Sequence, residues 1–304
     1  MKKYSEEELK KSSFTKKQMA EALLMVQADH ESMNKAQAVT IEKNDSGIEV
    51  DLLGTPPGIG TVVIPYCAAM AKGEELLFAV RAWEKSLDSI EKIVIIGDRP
   101  DFEVSDLVHV IEFEIKSDNP QVDIAHKLQE AILSDEIPEN FIWSNDDIYP
   151  LRPMNEGAIM LPTANGPLLA SGDSRVYNLN RKRTISALTK AGLSRFDYAT
   201  HTPVIFNKKE LAIVLSEFDC LAEGHLISSL YFNRLHAGAH PFIVDNSKTG
   251  QGEYIVSVYK PGISPEALEG YCSRRLFLNN NDRGWLPVKK YLESRFNKKS
   301  RFEA

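Results

Sequence analysis

Phe141-Ile-Trp-Ser-Asn-Asp-Asp-Ile-Tyr-Pro150 joins a run of strand-forming apolar residues to an adjacent pair of carboxylates, Asp146 and Asp147. Phe141, Ile142 and Trp143 are residue types that suit a pleated, buried strand, so the pair falls at that strand's carboxyl end. Neighbouring carboxylates repel each other, and placing them beside a buried strand is costly unless a cation or hydrogen-bond donors compensate. A hard ion such as Mg2+ or Mn2+ takes oxygen ligands and usually shares its shell with substrate phosphates, which suits one or two protein carboxylates. The competing reading is a polar strand-to-loop turn, because Asn and Asp are ordinary turn residues.

Outward from this stretch, strand and helix patterns alternate. Gly54-Thr-Pro-Pro-Gly-Ile-Gly60 is dense in turn residues and leads into Thr61-Val-Val-Ile-Pro65, a run that suits a buried parallel strand. Residues 74–87 carry Leu77, Val80, Ala82, Trp83 and Leu87 on or near one helical face, and residues 91–97 and 108–114 read as further strands. A second helix over 122–133 precedes the strand 140–144. This order predicts an α/β fold with a mostly parallel central sheet flanked by helices. Ligands of such sheets sit beyond the carboxyl ends of the strands, where the acidic pair is expected.

The remainder is irregular: a loop-rich stretch (151–182), helices over 184–191, 208–217 and 222–235, the segment Thr200-His-Thr-Pro-Val-Ile-Phe206 and a basic tail. Irregularity of this kind suits recognition of a second substrate. Residues 1–55 read as an N-terminal helical appendage, with one helical pattern over 16–28. The expected organisation is that appendage followed by a catalytic domain over 56–304, divided into a nucleotide half (56–155) and an acceptor half (156–304).

With 304 residues, 43% hydrophobic and 26% charged, the chain has an ordinary globular composition. A net charge of -7 argues against a duplex nucleic-acid binder, and with it against DNA glucosylation, because phosphate contacts need a basic face. Cys67, Cys220 and Cys272 are far apart, so neither a disulfide framework nor a thiolate zinc site is indicated, and a reducing cytoplasm is the simplest home. No secretory h-region and no 18-residue apolar window appear. Two basic clusters, Arg181-Lys-Arg183 and Arg295-Phe-Asn-Lys-Lys-Ser-Arg301, suit a diphosphate lipid carrier or the inner face of an anionic membrane, or are solvated faces. Phe296 and Phe302 also fit a tail that packs onto the domain. Gly250-Gln-Gly252 does not follow a strand and open a helix, so it is no dinucleotide fingerprint.

Read together, Thr61-Val-Val-Ile-Pro-Tyr66, Glu75-Leu-Leu-Phe-Ala-Val-Arg81, Lys92-Ile-Val-Ile-Ile-Gly-Asp98, Asn119 with Lys127, and Trp143-Ser-Asn-Asp-Asp-Ile148 resemble the GT-A glycosyltransferase superfamily. The resemblance covers about residues 60–155. It implies a metal held by Asp146 and Asp147 on a nucleoside-diphosphate sugar, with a glycan or lipid-linked acceptor. It also implies that Tyr66 and Asp98 lie by the nucleoside, and that Asn119 and Lys127 face the nucleotide from the other side, the ammonium neutralising phosphate. His201 would add a metal ligand, an imidazole suiting Mn2+ better than Mg2+. Bland roles stand beside each: Asp98 as a turn former, Lys127 as a solvated lysine, His201 as a brace at a strand start.

Asp147 is counted among the catalytic residues. For an inverting reaction Glu223 or Asp219 is the candidate general base, unless they are helix-terminal acids complementing a dipole.

Ser86-Leu-Asp-Ser-Ile-Glu-Lys92, Asn145-Asp-Asp-Ile148, His201-Thr-Pro203 and Lys299-Ser-Arg-Phe-Glu303 are similar to pieces of bacterial capsule and surface-polysaccharide transferases, including the Stealth sugar-phosphate transferases. Ile64-Pro-Tyr66 stands where Stealth members carry Trp-Val-Asp-Gly, which favours glycosyl over phosphosugar transfer. A non-catalytic nucleotide-sugar-binding protein is the third reading.

Overall fold

The computed structural model describes residues 41–44, 47–50, 59–160, 162–238, 241–243 and 254–304. Within the unit Met1–Gly58, β1 (Ile41–Asn44) and β2 (Gly47–Val50) pair as an antiparallel hairpin. The helix expected over 16–28 lies outside the described residues.

The unit Ile59–Ala304 begins with β3 (Thr61–Tyr66), α1 (Glu75–Ser86), β4 (Lys92–Gly97), β5 (Val108–Glu112), α2 (Pro120–Leu133), β6 (Asn140–Trp143) and β7 (Ile148–Pro150). It continues with α3 (Gly157–Met160), β8 (Thr163–Ala164), α4 (Val176–Lys190), β9 (Val204–Asn207), α5 (Lys208–Glu217) and α6 (Ile227–Leu235). Last come β10 (Phe242–Ile243), β11 (Ile255–Val258), α7 (Pro265–Cys272), β12 (Phe277–Asn280) and α8 (Trp285–Arg295).

The central sheet has the order β5-β4-β3-β6-β9, parallel throughout except for the antiparallel edge strand β9. Residues alternate between its two faces. Val63, Val94, Ile96, Phe141 and Trp143 pack with Ala125 and Leu128 of α2 and with α5 and α6. Val62, Ile64, Ile93, Ile95 and Ile142 pack with Leu76, Val80 and Trp83 of α1. The other side of α1, with Phe78, Ala79 and Ala82, covers a second sheet of order β11-β12-β7, closed behind by Trp285, Val288 and Leu292 of α8. The expected α/β architecture is therefore present, with helices on both faces of a mostly parallel sheet.

The chain runs β3, β4, β5 outward in one direction and returns to place β6 on the opposite side of β3. Strand order reverses between β3 and β6, and such a switch point opens a crevice at the carboxyl ends. Gly97 closes β4 there with φ +141°, and a Cβ on it would lie 1.8 Å from the Tyr66 carbonyl oxygen, so only glycine fits.

Two of the expected helices start elsewhere in the structure. Helix α4 begins at Val176, not at 184, because its buried positions include polar Asn178, Asn180 and Thr184, which an apolar periodicity does not register. Helix α6 begins at Ile227, not at 222, because Asp219 adopts φ +49° and its carbonyl oxygen accepts from the Ala222 and Glu223 amides in a turn.

The carboxyl-terminal tail is part of the core. Phe302 is fully buried beside α1, and Arg81 of α1 donates from Nε and Nη2 to both Glu303 carboxylate oxygens at 2.8 and 2.7 Å. Replacing Phe302 with alanine removes a ring from a packed site, so we expect a loss of about 3–5 kcal/mol, read as a lower urea midpoint with unchanged slope. A midpoint within experimental error of the wild type would contradict this packing.

Candidate metal-nucleotide site

Strand β6 ends at Trp143, the Ser144 amide donates to the Val63 carbonyl at 3.0 Å, and Trp83 Nε1 holds the Ser144 hydroxyl at 3.3 Å. The chain then turns: the Ile148 amide returns to the Asn145 carbonyl at 3.3 Å, leaving Asp146 and Asp147 as the two central residues. The bland reading of this dipeptide, a turn, thus describes its backbone, and the turn is what aims two carboxylates into the switch-point crevice.

A cavity of about 400 Å³ opens there, and its wall includes Tyr66, Cys67, Glu75, Lys127, Asn145 and both aspartates. Burial raises the Asp146 pKa to about 7, helped by the charges of Asp147 and Glu75. His201 Nε2 lies 3.0 Å from Asp147 Oδ1 and 3.5 Å from Asn145 Nδ2. Burial works against the imidazolium, but Asp147, by charge and hydrogen bond, and Asp146 hold the His201 pKa above its ordinary value. His201 sits at φ +55°, and its carbonyl accepts from Asn279 Nδ2 at 3.1 Å, which anchors it to β12.

Lys127 is neither solvated nor free. Its side chain is buried, 3.3 Å from Asp123 Oδ2 one turn earlier on α2, and it donates to the Tyr66 carbonyl at 3.3 Å. Tyr66 itself is buried, and burial with the nearby Asp101, Asp146 and Asp98 charges pushes its phenol up to about 12. It therefore keeps its proton at neutral pH and is a donor.

The structure also gives the partners of the other expected site residues. Asp98 Oδ2 accepts from the Ala68 amide at 2.8 Å, tying the loop after β4 to the loop after β3. Asn119 is the N-cap of α2, accepting from the Gln121 amide at 3.1 Å, and exchanges two amide hydrogen bonds with Asn180 of α4 at 2.8 and 3.1 Å. Asp219 and Glu223 occupy the α5–α6 turn and do not line the cavity. Glu223 instead lies 3.6 Å from buried His225, whose pKa burial lowers.

The structure adds three groups that the sequence reasoning missed. Buried Glu75, at the start of α1, accepts from the Lys72 amide and from Asn280 Nδ2, each at 2.6 Å, while Tyr149 fixes the same Asn280 at 3.0 Å. Asn281 and Asp282 complete the far wall, and Lys72 lies 3.4 Å from Asp282. A signal for these existed: Leu276-Phe-Leu-Asn-Asn-Asn-Asp282 repeats the pattern of Phe141-Ile-Trp-Ser-Asn-Asp-Asp147, apolar strand first and amide-carboxylate turn after.

The donor set suits a hard divalent ion, because two adjacent carboxylates, one raised to about 7, are aimed at a cavity whose wall, among the described residues, carries one ammonium. Among the described residues, no three His, Cys, Asp or Glu side chains form a metal-binding group by themselves. Of the three expected ligands, Asp146 and Asp147 line the cavity and His201 hydrogen-bonds to Asp147.

No protein-family model and no curated protein matches the chain. Among solved structures, it is similar to the galactosyltransferase LgtC in complex with donor and acceptor sugar analogs, at 10% identity and TM-score 0.44, over 79% of this chain and 97% of that one. A glycosyltransferase involved in glycosylation of the major capsid of PBCV-1 follows at 11% identity and TM-score 0.36, over 77% and 98%. A 4-diphosphocytidyl-2C-methyl-D-erythritol synthase aligns at 12% identity and TM-score 0.31, over 62% and 89%. Likenesses at these scores decide nothing about activity, and the architecture rests on the strand order and register above.

The Asp146 carboxyl has a direct consequence for stability. The native state keeps its proton up to about pH 7, whereas the unfolded chain releases it near the ordinary value of 3.8, so raising the pH through that window destabilises the fold. Measured in chelator, the melting temperature of Asp146→Asn relative to wild type should climb between those two values and level off above them. A difference independent of pH would contradict the assigned environment.

Proposed function

We propose that this chain is a divalent-metal-dependent glycosyltransferase of GT-A type that moves a sugar from a nucleoside-diphosphate donor to a glycan or lipid-linked acceptor. The observation that carries the reading is the Asn145–Ile148 turn, which points Asp146 and Asp147 into a cavity at the switch point between β3 and β6. Mn2+ or Mg2+ bound to that turn and to the donor's diphosphate would neutralise the departing nucleoside diphosphate as a Lewis acid.

The chain's own residues supply the rest. Lys127, held by Asp123, offers its ammonium to a phosphate. Tyr66 offers a phenolic proton to the nucleoside. His201 braces Asp147 from outside the cavity, and its fixed carbonyl contact with Asn279 keeps that brace in place. The glycan and lipid-linked acceptors, and a setting in bacterial surface-polysaccharide synthesis, follow from the sequence resemblance alone. A cytoplasmic location at the inner membrane face rests on the cysteine pattern and the basic clusters of the sequence.

The test is a panel of nucleotide sugars with Mn2+, scored for hydrolysis or transfer by the wild type, Asp146→Asn and Asp147→Asn. We expect turnover with one donor class and a loss of about a hundred-fold or more in each variant, with folding checked by circular dichroism. Equal turnover in all three proteins would remove the metal role.

A further inference from the structure

Helix α4 lies outside the metal-nucleotide site, and its sequence, Val176-Tyr-Asn-Leu-Asn-Arg-Lys-Arg-Thr-Ile-Ser-Ala-Leu-Thr-Lys190, contains four basic residues and no acidic one. The whole chain has a net charge of -7, so this helix runs against the charge of the protein that carries it. Val176, Leu179, Arg183, Ser186 and Lys190 recur at helical spacing along one stripe, and all are exposed. Lys182 is exposed beside that stripe.

The apolar members of this stripe are open to solvent: Val176 is 47% exposed and Leu179 37%. Buried Asn178 accepts from the Ser171 amide at 2.8 Å and donates to the Ser171 and Asp173 carbonyls at 2.7 and 2.6 Å, which wraps the loop before α4 onto its first turn. Arg181 Nε donates to the Leu169 carbonyl at 2.7 Å, and its Nη1 lies 3.0 Å from buried Asp197. Asn178 and Arg181 therefore fix the loop that carries Leu169 against α4 on the side of the helix turned away from the exposed stripe, and leave the stripe itself open.

We propose that this outward stripe of α4 docks on an anionic lipid surface. The aliphatic side chains enter the interfacial layer while Lys182, Arg183 and Lys190 meet the headgroup charge, the division of labour that interfacial helices use. Charge selects this occupant: a protein of net -7 is repelled by an anionic bilayer except through a local basic face. The Asn119–Asn180 amide pair joins α4 to α2, whose Lys127 faces the nucleotide cavity, so the docking face and the cavity share one rigid connection. Docking itself does not depend on sugar transfer; its use, presenting a membrane-borne acceptor, rests on that reading.

The experiment is sedimentation of the full chain with vesicles of phosphatidylcholine alone and of phosphatidylcholine with one third phosphatidylglycerol. Wild type should pellet with the anionic vesicles at low salt and be released by high salt. Val176→Ser with Leu179→Ser, and separately Lys182→Glu with Lys190→Glu, should each lower the bound fraction about ten-fold. Melting curves establish that both pairs fold; if the serine pair does not, the glutamate pair alone decides. Wild type left in the supernatant, or binding unchanged in the glutamate pair, would overturn the proposal, as would a soluble dimer that these substitutions dissociate. Donor hydrolysis in solution, measured on the same variants, should stay at the wild-type rate, which separates a failure of docking from a failure of the transferase reading.

Discussion

Two residue pairs, Val62 with Ile142 and Val63 with Trp143, join β6 to the central strand β3, and the site depends on that register. Side chains alternate across a strand, so a slip of one residue would turn Phe141 and Trp143 out of the α2 face of the core and drive Ile142 into it. The antiparallel pairing of Phe141 with Phe206 and Trp143 with Val204 on the other edge of β6 opposes the same slip. With the strand pinned on both sides, the Asn145–Ile148 turn can only emerge beside Tyr66, at the mouth of the crevice. Its two carboxylates are delivered there by apolar packing, not by any attraction of their own.

Their electrostatics then define what the cavity accepts. Glu75, Asp146, Asp147 and Asp282 crowd one region, and the buried ammonium of Lys127 is already shared with Asp123. Nearby polar groups absorb part of the cost: Asn280 and the Lys72 amide donate to Glu75, and His201 bonds to Asp147. Asp146 is left with little, and burial together with its charged neighbours raises it to about 7. Carboxylates left so poorly compensated are what a divalent cation would stabilise.

The sheet was legible because its strands are short apolar runs bounded by turn residues, and the helices α1 and α2 carry an apolar stripe. The acidic turn was legible from position, since it follows the last apolar strand of the series. The second sheet was not: β7, β11 and β12 are three to four residues each and take their partners from distant parts of the chain. With that sheet unseen, Asn280, Asn281 and Asp282 had no place at the site. Roles resting on single residues fared according to the backbone around them. Asn119 and Asp98 bond to nearby main-chain amides, as short polar side chains in turns and caps tend to, while Lys127 is kept at the cavity by a buried partner one helical turn away. Glu223 and Asp219 looked catalytic on composition, but the left-handed turn at Asp219 sets them at the α5–α6 junction, away from the cavity lining.

The central claim is that the Asp146–Asp147 turn holds a divalent ion whose shell is completed by a nucleoside diphosphate. Paramagnetic resonance of Mn2+ titrated into the full chain, with and without added UDP or GDP, reads this directly, since free and bound Mn2+ give distinct signals. We expect one weakly bound Mn2+ per chain that becomes tightly bound when the matching nucleoside diphosphate is added, and that is lost in Asp147→Asn. Mn2+ binding that neither nucleotide strengthens, or that survives unchanged in Asp147→Asn, would contradict it.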